Sequence, residues 1–199
     1  MNGSARESEL AVEASLPARR RPPRGRGERV LVRDAKRGSA DAIEELVRSN
    51  WHAAHRAAFL IVQDASAAED IAQEAILAAV RAIDDFDRRR PFRPWLHRIV
   101  VNRSLDWLRA RGRRPEVGVE PTEIAAAASE REDGLSDELM EALRQLDSEE
   151  RALVILRHLL GYRSSELAEM LSLPAATVRT RLARSLEKLR AILGERTAS

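Results

Sequence analysis

Apolar residues return every three or four positions through most of this chain, and nowhere do they alternate as a half-buried strand requires. Val30, Leu31 and Ala35 open the pattern, which stays helical over residues 29–111. Gly38-Ser39 breaks it, and Asp41 is placed to cap a helix carrying Ile43, Leu46 and Val47. Trp51, Ala54, Ala58 and Ile61 extend that apolar face. A turn at 64–66 precedes a second stripe of Ile71, Ala75, Ala78 and Ala82, widened by Ile76, Val80 and Ile83. Pro91 and Pro94 predict a loop over 86–94. Trp95, Ile99, Leu105 and Leu108 stripe the helix after it.

Periodicity lapses over 112–134, where Pro115, Gly118, Pro121 and an acidic bias predict a flexible linker with room for a short helix at 124–129. It resumes at Leu135. Leu139, Leu143 and Leu146 stripe one helix. Asp147 and Glu150 have capping-box spacing for the next, which carries Leu153, Val154, Leu156 and Leu160 and stops at Gly161. Ser164 or Ser165 is placed to cap a short helix over 166–171. Ser172-Leu173-Pro174 makes a turn into a last helix with Val178, Leu182, Leu186, Leu189 and Leu193 on one side. The expected fold is all-α: two small helical domains, 29–112 and 135–195, joined by a linker over 113–134.

The stripe of the last helix puts Thr177, Arg179, Thr180, Arg181 and Arg184 on its other face. A short helix, a tight turn and a basic helix make a helix-turn-helix, spanning 136–193. Its second helix enters the major groove, arginine pairs with guanine's two acceptors, and further arginines neutralise phosphates.

Charge changes the picture more by distribution than by amount. The net charge is +2, yet residues 88–114 hold ten arginines against one acid, Asp106. Residues 64–87 hold seven acids and one arginine, and 116–150 hold twelve acids and two arginines. A chain sorted this way meets partners of both signs. Residues 1–28 interleave Arg19, Arg20, Arg21, Arg24 and Arg26 with Pro17, Pro22, Pro23, Gly25 and Gly27, and read as a disordered basic arm, either a solvated tail or a DNA-touching one.

Several function classes fall away. There is no cysteine, so disulfides and thiolate metal sites are excluded. No apolar run approaches the roughly 20 residues of a membrane span, and Glu7, Glu9 and Glu13 interrupt any signal-peptide core, which points to the cytoplasm. His52 and His55 stand three apart without a third ligand, and His97 and His158 stand alone. Neither catalysis nor a metal or other cofactor is expected.

The stretch from Leu146-Asp147 through Tyr162, Ser164, Glu166-Leu167-Ala168 to Thr177-Val178-Arg179-Thr180-Arg181-Leu182-Ala183-Arg184 resembles the sigma-4 domain of bacterial sigma-70 factors. Independently, Asp64 through Glu69-Asp70-Ile71-Ala72-Gln73-Glu74 resembles that family's core-polymerase-binding helix. Phe92-Arg93-Pro94-Trp95-Leu96-His97-Arg98-Ile99-Val100-Val101-Asn102, with Leu105-Asp106-Trp107-Leu108 after it, resembles its promoter-melting segment in the sigma-2 domain. Two such domains and no others are similar to the extracytoplasmic-function group.

The resemblance implies roles. Asp64, Glu69, Asp70, Gln73 and Glu74 would dock on the β′ clamp of core RNA polymerase, while the C-terminal domain would meet the β flap. Arg88, Arg89, Arg90, Phe92, Arg93, Arg98, Asn102 and Arg103 would handle the −10 element, with Trp95 and Trp107 as further aromatics that serve either stacking or the core. Thr177, Arg179, Thr180, Arg181 and Arg184 would read −35. The acidic linker would thread toward the polymerase active-site channel. An anti-sigma factor would restrain the chain, at the inner membrane in some cases. The loop 87–91 is more basic than the family's usual glycine-containing version, which bears on sequence preference at −10. A simple helix-turn-helix regulator would leave the acidic helix and the melting segment unused, and a sigma mimic would need a receiver domain that 28 residues cannot hold.

Overall fold

The computed structural model describes residues 26–112 and 135–197, which fall in two compact units, each treated by itself. The linker, its expected short helix, and residues 1–25 of the arm lie outside the described residues. Among the described residues all regular structure is helical, and no helix is long and apolar enough to cross a membrane.

The N-terminal unit has four helices: α1 Arg26–Ala35, α2 Ala40–Val62, α3 Ala65–Arg81 and α4 Phe92–Gly112. A single 3-10 turn, Ile83–Asp85, follows α3. The central helix α2 packs on the other three, and α3 also packs on α4. Ala54, Ala57 and Ala58 of α2 and Ala68, Ala72 and Ala75 of α3 are completely buried, and such small side chains let helices approach closely. Leu60, Ile61, Leu96, Val100 and Val101 fill the remaining space. Each such large side chain contributes roughly 1.5–3 kcal/mol.

Helix ends explain several departures from the sequence pattern. Ser39, not Asp41, caps α2: its Oγ accepts from the Ala42 N–H at 3.3 Å, while Asp41 sits exposed in the first turn, where its charge favours the positive helix end. Gly38 makes the preceding turn at φ +84°. Helix α1 starts at Arg26, inside the stretch expected to be disordered, and is tied down where the Glu28 carboxylate accepts from the Phe92 N–H at 3.0 Å. Pro94 does not extend the loop: α4 begins at Phe92 and accommodates Pro94 in its first turn, where no intrahelical N–H is needed.

The C-terminal unit has α5 Asp137–Arg144, α6 Ser148–Val154, α7 Ser164–Leu171 and α8 Ala175–Thr197. Ser136 caps α5 through the Leu139 N–H, and Asp147 caps α6 through the Glu150 N–H at 2.8 Å. The expected capping box is not completed by Glu150, whose carboxylate bonds the Lys188 ammonium of α8 instead. Helix α6 widens into one π turn, Ile155–Leu159, and Gly161 ends it at φ +75°. Residues 151–156 are all buried, so α6 is the centre of this unit rather than an amphipathic side. Neither expected serine caps α7; Arg163 holds that position, and its N–H donates to the Glu166 carboxylate at 2.8 Å. Leu143, Leu153, Leu156, Leu167, Val178, Leu182 and Leu189 form the core.

One buried group makes the N-terminal unit pH-sensitive. His97 of α4 is fully enclosed; burial and the Arg93 charge hold its pKa down to about 4, against a hydrogen bond with the Ala53 backbone that favours the proton. Between its ordinary 6.5 and about 4, the unfolded chain binds a proton that the folded chain refuses. Stability therefore falls as pH drops through that window, by up to about 3 kcal/mol, and is unaffected by this group above it. Denaturant melts of the chain from pH 7 to 4 measure the slope; His97→Leu flattens it, and an unchanged slope in that variant refutes the assignment.

Candidate functional site

Burying the alanine face of α3 leaves Glu69, Asp70, Gln73 and Glu74 exposed on the opposite side. Leu77, one turn beyond Gln73, stands 46 % exposed in line with them. Sequence reasoning passed over Leu77 because a leucine in a helical pattern reads as core; its place one turn beyond Gln73 was the available signal. Asp64 differs from its companions. It is half-buried, its Oδ1 caps α3 through the Ala67 N–H at 3.0 Å, and its Oδ2 meets Arg111 at 3.1 Å. Glu74 pairs with Arg103, so two residues assigned to opposite partners hold one another.

The arginine-rich loop projects from an aromatic base. Phe86 and Phe92 are buried and meet edge to face at 5.6 Å between ring centres, with Trp95 at 4.7 and 5.5 Å from them. Phe92, expected among the residues that handle DNA, is buried in this unit and supports the loop from below. Between the two phenylalanines the chain turns on Asp87, whose carboxylate accepts from the Arg89 N–H and whose carbonyl accepts from the Arg90 N–H, both at 2.9 Å. Arg88, Arg89 and Arg90 are all exposed. At the loop's start the Lys36 ammonium donates to the Phe86 carbonyl at 2.9 Å. At its end the Glu28 carboxylate holds the Phe92 N–H.

Along α4, Arg98, Asn102, Asp106 and Arg109 recur at helical spacing on the side away from the core, in line with the half-buried Trp95. Asn102 is exposed and Arg98 half-buried. Arg93 turns inward, its Nε donating to the buried Asn50 side chain at 3.4 Å. Trp107 is half-buried and carries the Arg111 guanidinium over its ring at 5.1 Å. The loop arginines and Asn102 are therefore exposed, while Arg93 and Arg103 are engaged within the unit.

In the C-terminal unit, α7, the turn and α8 form the expected helix-turn-helix. Ser172 takes the left-handed conformation at φ 55°, and the Leu173 N–H closes on the Ala168 carbonyl at 3.0 Å. Val178, Leu182, Ser185 and Leu189 face inward; Arg179, Thr180, Arg181 and Arg184 face out, and Thr177 is half-buried. Arg181 pairs with Glu149 at 3.0 Å, and the Thr180 hydroxyl donates back to the Ala176 carbonyl.

The sigma-70 region 2 family matches residues 46–114, and the sigma-70 region 4 family matches 136–189. RNA polymerase sigma factor NccH of Alcaligenes xylosoxydans xylosoxydans is 36 % identical over 172 residues, covering 82 % of this chain and 92 % of NccH. The chain belongs to the extracytoplasmic-function (ECF) group of sigma-70 factors. ECF sigma factor SigW of Bacillus subtilis strain 168 is 30 % identical over 175 residues, covering 80 % of this chain and 92 % of SigW. A solved structure of CnrH in complex with the cytosolic domain of CnrY shares 31 % identity, covers 85 % of this chain and 98 % of that one, and has a TM-score of 0.65. As a sigma factor, this chain acts in transcription initiation.

The geometry separates the capping carboxylate from the exposed ones. Asp64→Ala removes a helix cap and lowers stability by about 1 kcal/mol, whereas Glu69→Ala and Asp70→Ala leave it within about 0.5 kcal/mol. Thermal melts check this; equal losses in all three would mean that Asp64 is not the cap of α3.

Proposed function

We propose that this sigma factor directs core RNA polymerase to promoters bearing −35 and −10 elements and helps melt them, with the residues on the two units divided as follows. The observation that carries the reading is the combination, in one ECF chain, of an acidic exposed helix face, a projecting arginine loop and a helix-turn-helix with an arginine-bearing second helix. Glu69, Asp70, Gln73 and Glu74, joined by Leu77, form the docking face for the β′ clamp: carboxylates give register with a basic partner, and an exposed leucine adds apolar contact. The C-terminal unit meets the β flap.

The loop arginines Arg88, Arg89 and Arg90, with Arg98 and Asn102, take the −10 element. A base leaving the stack needs a surface to rest on and polar groups to read its edge, and the partly exposed Trp95 beside the loop offers the first. Thr177 and Arg179 at the start of α8, with Arg184 further along its exposed side, take the −35 element in the major groove, since a recognition helix reads bases chiefly with its N-terminal residues. Arg181 and Thr180, already engaged within the unit, contribute less sequence information and more to phosphate contact. The chain carries out no covalent chemistry: it works by binding, in the cytoplasm. The complex of its relative CnrH with the cytosolic domain of CnrY supports restraint by a protein partner of anti-sigma type.

Run-off transcription with core polymerase and candidate promoters tests the reading; absence of a promoter-specific start with demonstrably active core refutes it. Two variants sharpen it. Arg179→Ala with Arg184→Ala lowers initiation from a −35-dependent promoter tenfold or more, at about 1–3 kcal/mol per lost base contact. Asp70→Lys with Glu69→Lys abolishes co-elution with core polymerase while leaving the melting temperature unchanged.

A further inference from the structure

We propose that α1 positions the arginine loop, with Glu28 and Lys36 acting as a two-point splint that sets how the loop meets the −10 element. This rests on the reading of that loop as the −10 reader. The five residues 87–91 leave the unit between Phe86 and Phe92, and one side chain of α1 or of the turn after it holds the backbone at each of these points. The Lys36 ammonium fixes the last carbonyl before the loop, at 2.9 Å. The Glu28 carboxylate fixes the first N–H after it, at 3.0 Å. Both contacts are partly buried and span 50 and 64 residues of sequence, and the two side chains come from ahead of the stretch matched by sigma-70 region 2, which starts at residue 46.

The physical case is preorganisation. The Phe92 N–H is the first of the amides at the α4 start that lack an intrahelical acceptor, and a carboxylate there satisfies it and favours the positive helix end. With both ends pinned and Asp87 folding the tip on itself, the three arginines enter a complex with little backbone freedom left to lose. Releasing either end leaves their charge intact. Their general attraction to phosphate persists, while the fixed geometry that separates one base from another is lost. Glu28 and Lys36 are thus positioning residues, since neither is assigned a contact with DNA.

The test uses holoenzyme made with the full chain and promoters that differ by one base pair at −10 or at −35. Glu28→Ala and Lys36→Met each reduce discrimination at −10 about three- to tenfold, the size of an ordinary net hydrogen-bond contribution, and leave discrimination at −35 and affinity for core within twofold. Glu28→Gln, which keeps an oxygen able to accept from the Phe92 N–H, retains discrimination at −10. Lys36→Met keeps the aliphatic stem and carries the test alone should Glu28→Ala fail to fold. A chain with Arg88, Arg89 and Arg90 all replaced by alanine separates the two layers of the argument. If that chain loses −10 discrimination while Glu28→Ala and Lys36→Met keep it, the splint is refuted and the loop reading stands. If it keeps −10 discrimination, the loop is not the reader and the splint falls with it. A loss in Glu28→Gln equal to that in Glu28→Ala overturns the hydrogen-bond mechanism.

Discussion

Burial of one apolar face per helix is the constraint from which everything else in this protein follows. Helix α3 puts Ala68, Ala72, Ala75 and Ala79 against its neighbours, and at 3.6 residues per turn its carboxylates have nowhere to go but outward. Helix α8 buries Val178, Leu182 and Leu189 and so presents Arg179 and Arg184. The proposed recognition surfaces are not additions to the packed units. They are what packing leaves outside, which is why a change to the buried stripe would disturb partner binding as directly as a change to the charges.

Two ion pairs tie α3 and its cap to α4: Glu74 with Arg103, whose expected partners differ, and Asp64 with Arg111. Three of these four side chains are more than a third exposed, and such pairs contribute about 0–1 kcal/mol. They are therefore weak enough to be exchanged for stronger contacts. In the proposed complex a polymerase surface that takes Glu74 releases Arg103, at a cost no larger than the strength of the pair. Asp64 has less freedom, because it also caps α3.

The sequence pattern carried the two-domain helical organisation, the helix-turn-helix and the faces of α3 and α8, because each depends on spacing within one helix. What it could not carry depends on partners far away along the chain. Phe92 looked like a base-stacking aromatic beside a basic loop, and only its packing on Phe86 and Trp95 makes it core. Glu150 had capping-box spacing after Asp147, but Lys188, 38 residues on, takes its carboxylate. Asp41 was the expected cap of α2, but Ser39, two residues earlier, holds the position. The ties of Glu28 and Lys36 to the loop have no local signature at all: a charged residue at the edge of a basic arm reads as solvated until a backbone amide 64 residues away is seen to point at it.

The central claim is a division of labour, with unpaired −10 DNA taken by the loop of one unit and duplex −35 DNA by the α8 helix of the other. Site-specific photo-crosslinking tests it most directly. A photoreactive residue is placed at Arg89 in one chain and at Arg179 in another, and each is assembled with core polymerase on a promoter whose bubble is verified by permanganate reactivity. The account predicts that position 89 crosslinks to the non-template strand at −10 and only when the bubble is open, and that position 179 crosslinks at −35 whether it is open or closed. Crosslinks from position 89 to −35, or none from either position in verified open complexes, would contradict it.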